Sequence, residues 1–139
     1  MSITHVHFSC ALQGDDFDPT PFLDNGQLKI TDYHLRGSVD NRKGREGRIF
    51  QDGYILLQSK DGNFEEFIHK LYSIKELIIG NKADRRVVYV DLWYEGYCHW
   101  EVEPNLLKMM GELDLTLATS SIEEEENEDN EMDRMDSCC

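Results

Sequence analysis

The chain has 139 residues, 40% of them hydrophobic, with 14 Lys and Arg against 28 Asp and Glu and a formal charge of −14. That length fits one domain, that composition supplies a core, and the charge excludes a protein that grips nucleic acid directly through its phosphates. No run approaches the ~18 apolar residues of a membrane span, and MSITHVHFSC lacks the basic-then-apolar pattern of a secretory signal, so the expectation is a cytoplasmic protein with no membrane contact.

Residues 3–12 alternate. Val6, Phe8, Cys10 and Leu12 fall on one face and His5, His7, Ser9 and Ala11 on the other, which predicts a strand with the first set inward. After Gly14 the run FDPTPFLDNG predicts a short helix capped by Thr20, opened by Pro21 and ended by Gly26. Residues 28–36 alternate again as a second strand. Residues 37–47, rich in Gly and charge, predict an exposed loop, and 49–60 a third strand centred on Tyr54, Ile55, Leu56 and Leu57.

Residues 63–79 give the clearest helix. Phe64, Phe67, Ile68, Leu71, Ile74, Leu77 and Ile78 recur at spacings of three and four, Asn63 is the N-cap, Glu66 closes a capping box and Gly80 is the C′ residue. RVVYVDLWYE over 86–95 is the strongest strand and reads as central. Pro104 opens a helix over 105–110 that Gly111 caps, and Leu113, Leu115 and Leu117 alternate as a last strand. The expected fold class is α+β: a two-layer sandwich with a mixed or antiparallel sheet of about five strands, in the order β-α-β-β-α-β-α-β, and helices on one face.

Domain organisation follows from charge. Residues 122–139 hold nine acids against Arg134 alone, leaving −8 there and −6 on the body. The expectation is one folded domain over 1–121 and an acidic, disordered tail over 122–139.

Several groups carry chemistry in principle. Asp15, Asp16 and Asp18 suit turn and capping roles better than a metal. His5, His7 and His34 are candidate zinc ligands, but alternating histidines on a solvent face need no metal. Cys98 and His99, adjacent on an extended segment, point to opposite faces and cannot form a nucleophile–base pair with each other. Cys10, Cys98, Cys138 and Cys139 match neither a disulfide framework nor a zinc spacing. The terminal Cys138-Cys139 looks like the double-cysteine ending of prenylated small GTPases, yet GxxxxGK[ST] is missing, and an acidic tail is repelled by an anionic membrane. Arg36, Arg42, Lys43, Arg45 and Arg48 form the one basic concentration, on a loop tip. No cofactor, metal or catalytic motif is implied, so the expectation is a non-enzymatic protein.

Trp93, Tyr94, Tyr97 and Trp100 are more aromatics than core packing at one strand end needs, and Asp91, Glu95, Glu101 and Glu103 surround them. Aromatic anchors among acids suit a surface for a basic partner. Those eight residues are the candidate partner-binding site.

The run FSCALQGDDFDPTPF, a strand ending in Gly-Asp-Asp-Phe-Asp-Pro, and the closing run LLKMMGELDLTLA resemble the two ends of the bacterial domain-of-unknown-function family numbered 4279, with the long helix in the corresponding place. The resemblance spans most of 8–118. It implies a small single α+β domain and, since small acidic families of this kind often serve as immunity proteins, neutralisation of a cationic toxin such as a nuclease. The other expectation from charge is an acidic mimic of nucleic acid acting on a host defence protein, and a third is an enzyme using His or Cys chemistry.

Overall fold

The computed structural model describes residues 2–59 and 63–124. Its main sheet has five strands: β1 (Ser2–Gly14), β2 (Lys29–His34), β5 (Gly53–Gln58), β6 (Arg85–Glu95) and β7 (Thr116–Glu123), in the order β2-β5-β1-β6-β7. Two short strands, β3 (Val39–Asp40) and β4 (Arg48–Ile49), pair as a separate hairpin. Helices α1 (Phe64–Ser73), α2 (Lys75–Gly80) and α3 (Pro104–Glu112) complete an α+β fold. All ladders are antiparallel except β6–β7, a parallel pair joined through α3, so the sheet is mixed. The middle strand is β1. The aromatic and β-branched β6 is interior but lies next to it.

Alternation along each strand decides the layers. Phe8, Cys10 and Leu12 of β1 stand beside Val90, Val88 and Arg86 of β6, and Cys10 and Leu12 beside Leu57 and Ile55 of β5. On that face Phe67, Ile68 and Leu71 of α1, Ile78 of α2 and Leu106 and Met110 of α3 close the core. Phe8 meets Phe67 as stacked rings with centroids 6.0 Å apart and Phe64 at a tilt with centroids 5.2 Å apart. Full burial of one such ring stabilises by roughly 1.5–3 kcal/mol. Among the described residues the opposite face carries no helix.

The expected single helix over 63–79 is two. Asn63 caps α1 as read, its Oδ1 accepting the Glu66 N–H at 3.1 Å. At Ile74 the backbone leaves the helical region (φ −109°, ψ 31°). One residue earlier the Ser73 hydroxyl donates to the Lys70 carbonyl at 2.6 Å, the kind of back-bonding that bends a helix. Gly80 closes α2 as a helical residue and Asn81 is the C-cap. Gly111 likewise lies inside α3; the chain turns at Leu113 and at Asp114, which takes φ 54°. In the first connection the structure has a single 3-10 turn, Thr20–Phe22, whose N-cap position is Pro19 rather than Thr20, with the Asp18 carboxylate just before it accepting the Thr20 N–H at 3.0 Å. β7 continues through Glu123, so the first residues of the acidic stretch belong to the sheet, and residues 125–139 lie outside the described ones.

Two glycines test the packing. A Cβ on Gly53 would stand 1.9 Å from the Phe17 carbonyl oxygen, which only backbone movement relieves. Gly53→Ala is expected to destabilise by about 3 kcal/mol or more. At Gly80 an added Cβ meets nothing within 4 Å and the backbone is helical, so Gly80→Ala is expected to stabilise by about 0.5 kcal/mol. Urea unfolding midpoints check both.

Candidate functional site

The uncovered face of the sheet gathers the side chains of opposite parity to the core. From β1 it takes His5, His7, Ser9, Ala11 and Gln13; from β6, Val87, Tyr89, Asp91, Trp93 and Glu95; from β7, Ala118, Ser120 and Ile122. Most are half-buried or exposed.

A polar row crosses this face over four strands. Gln58 Nε2 lies 2.7 Å from His7 Nε2, His7 Nδ1 lies 3.7 Å from Asp91 Oδ2, and the Ser120 hydroxyl donates to Asp91 Oδ1 at 2.6 Å. With the Gln58 amide donating, His7 carries its proton on Nδ1, toward the carboxylate. The carboxylate sits between Ser120 and His7, so the imidazole does not reach the hydroxyl. Activation of a serine requires the imidazole in the middle. This row is a structural brace, with its carboxylate part-exposed in the middle. Beside it His5 packs on Trp93, ring centroids 4.9 Å apart, and Trp93 is in register with Ile122.

The eight sequence-derived site residues therefore divide. Asp91, Trp93 and Glu95 share the open face. Tyr94 points to the helix side and is 2% exposed. Tyr97 stands in solvent beyond the strand. Trp100 packs edge-on against Phe64 with centroids 5.0 Å apart, in the helix layer. Glu101 lies 2.8 Å from His99, and Glu103 occupies the N-cap position of α3 before Pro104.

At the β2 end of the same face a second constellation forms, one that sequence reading did not assemble. His34 stacks on Phe50, centroids 3.6 Å apart and planes 10° apart, and on Tyr54 at 5.3 Å. The Arg42 guanidinium lies 5.4 Å over the other side of Phe50. His34 Nε2 is 2.9 Å from Asp52 Oδ1, and Gln13 donates to the second Asp52 oxygen. Burial pushes the Asp52 carboxyl up, but the hydrogen bonds from His34 and Gln13 outweigh it and hold it below the ordinary value. Burial, then Asp32 and Tyr89, raise the Tyr54 phenol. Between β2 and the β3–β4 hairpin lies an open cleft of about 540 Å³ lined by Tyr33, Leu35, Val39, Phe50 and Arg42. The register pairing His34 with Tyr54 was the available signal, but Phe50 and Arg42 arrive through the hairpin, whose two-residue strands leave no periodicity.

The remaining candidates resolve into local structure. Asp16 pairs with Arg36 at 3.2 Å. Cys10 is fully buried, and burial pushes its thiol up to about 12, which makes it inert. Cys98 is half-buried and reduced. Among the described residues no three His, Cys, Asp or Glu side chains converge as metal ligands. No described helix is long and apolar enough to cross a membrane. No protein-family model and no curated protein matches the chain, so the geometry carries the functional reading.

The hairpin offers a pH test. Asp40 is 3% exposed and takes a bidentate bond from Arg42, Nε to Oδ1 at 3.0 Å and Nη2 to Oδ2 at 2.8 Å. That side-chain bond, with the Arg42 backbone N–H, outweighs burial and lowers the carboxyl from 3.8 to about 2. The folded value lies below the unfolded one. The pairing therefore stabilises the hairpin fully above about pH 4 and is lost as pH falls through the folded value. Carboxyl carbon shifts should show Asp40 titrating near 2 in the wild type and at a higher pH in Arg42→Ala, which loses the side-chain bond and keeps the backbone N–H.

Proposed function

We propose that this is a non-enzymatic cytoplasmic binding protein that neutralises a basic partner, and specifically an immunity protein for a cationic, nuclease-like bacterial toxin. The observation that carries the reading is the uncovered sheet face, where Trp93 and His5 form an aromatic anchor between Asp91 and Glu95 on a chain of charge −14. A rigid sheet backed by α1 presents those groups without an ordering cost, and aromatic anchors ringed by charge are what binding hot spots contain. The resemblance of the chain's two ends to the family numbered 4279 supports the same role.

Mechanism follows from charge and shape. The negative field steers a positively charged groove toward the face and raises the association rate at low salt. Trp93 then seats against the groove, Asp91 and Glu95 pair with its Lys or Arg side chains, and the groove closes to nucleic acid. No bond is made or broken.

The structure separates the acids for the test. Asp91→Lys with Glu95→Lys alters the open face; Glu101→Lys with Glu103→Lys alters the loop beyond it. Pull-downs from the native host across a salt series should lose the partner with the first pair and keep it with the second. Trp93→Ala should weaken binding by about 2 kcal/mol, roughly thirtyfold. Capture of no basic protein at low ionic strength would overturn the proposal.

A further inference from the structure

Exposed apolar side chains gather at one end of the molecule. Tyr33 of β2, Leu35 just past it, and Val39 and Ile49 of the β3–β4 hairpin are four of the eight large exposed hydrophobics among the described residues. Tyr33, Leu35 and Val39 line one cleft, and Ile49 is paired with Val39. Single exposed hydrophobics are ordinary, whereas a contiguous group of them marks a contact surface.

The hairpin that carries two of them is inside out. Val39 and Ile49 are directly opposed across the ladder, so their side chains leave on the same side. They are 51% and 49% exposed. Asp40, one residue on, points the other way and is buried against Arg42. A hairpin facing water turns its charges out and its apolar residues in. Backbone bonds fix this reversed hairpin beside β2. The Ser38 N–H donates to the Leu35 carbonyl at 3.1 Å, the Gly37 N–H to the Phe50 carbonyl at 2.9 Å and the Phe50 N–H to the Ser38 carbonyl at 3.0 Å. The Val39–Ile49 ridge and the cleft of about 540 Å³ lined by Tyr33, Leu35 and Phe50 therefore lie side by side.

We infer that this end of the molecule is a self-association surface, and that its occupant is a second copy of the chain. Charge and shape select that occupant. Residues 32–52 hold five bases against four acids, a net +1, which leaves −15 on the rest of the chain. A cationic partner is drawn to that remainder and repelled by Lys43, Arg45 and Arg48 on the hairpin. An acidic molecule meets least repulsion there, and the chain itself is acidic. A ridge and a cleft next to each other are also self-complementary. Under a two-fold axis each copy's Val39–Ile49 ridge enters the other's cleft, and both are filled at once. The bases on each hairpin then come toward Asp32, which lines the other copy's cleft. β6 lies three strands from β2, roughly 14 Å away, so Asp91, Trp93 and Glu95 stay uncovered and the pair presents two such faces.

Sedimentation of the full chain from about 10 μM to about 1 mM, at low and high salt, reads the association. A dimer is expected. It should tighten as salt rises, because two chains of −14 repel each other and salt screens that repulsion. Val39→Asp with Ile49→Asp should weaken it by about thirtyfold or more. Ile79→Asp with Leu107→Asp adds the same charge at exposed apolar positions on α2 and α3, and should leave the dimer as in the wild type. In the ¹⁵N-labelled wild type, amide shifts that follow protein concentration should centre on Tyr33, Leu35, Val39 and Ile49, and that measurement stands even if the hairpin variant does not fold. A chain that stays monomeric at every concentration and salt overturns the inference. So does a dimer that survives the Val39 and Ile49 changes, one weakened equally by the Ile79 and Leu107 changes, or one whose shifts centre on Asp91, Trp93 and Glu95.

Discussion

The contact of Phe8 with Phe67 and Phe64 is the point where sheet meets helix. β1 is the middle strand, so every residue of its inward set must find a partner above it or leave a hole. Phe8, Cys10 and Leu12 have α1 and the neighbouring strands; the alternate residues have no described helix over them. One covered face and one bare face follow from that pairing, and the open side becomes available for contact because the other is filled. Replacing Phe67 with a small residue would leave a hole against Phe8 at the middle of the sheet.

Alternation made the layers readable. In β1, β5 and β6 the inward residues are apolar and the outward ones mixed, and a period of two has one interpretation. The same rule placed Asp91, Trp93 and Glu95 together and already assigned Tyr94 to the other side, although grouping by composition drew it in. What the pattern did not carry was backbone events. The apolar spacing runs through Ile74 unbroken, since Leu71, Ile74, Leu77 and Ile78 keep facing the sheet while the chain leaves the helical region between them. Gly80 and Gly111 suggested helix ends by type, yet both hold helical geometry and the turns fall one or more residues later.

The hairpin shows a second kind of invisibility. Residues 37–47 read as a charged loop, and most of them are exposed. Asp40 is enclosed because Arg42 folds back on it, and that bond places Arg42 above Phe50, which in turn stacks on His34. A chain of contacts between residues two, eight and sixteen apart leaves no periodic trace. It depends on the turn, which side-chain chemistry sets one bond at a time.

The order β2-β5-β1-β6-β7 places the N-terminal strand in the middle. Among the described residues its first half, from Ser2 to Phe8, has β6 as its one neighbouring strand, and Phe8 is in register with Val90. A ribosome adding ~5–20 residues per second makes that partner several seconds after Phe8 is translated. During that interval this half of β1 has water or a chaperone for company. The molecule's midline is thus made well before its partner and is among the last parts to be closed, which favours slow folding governed by distant pairing rather than by its helices.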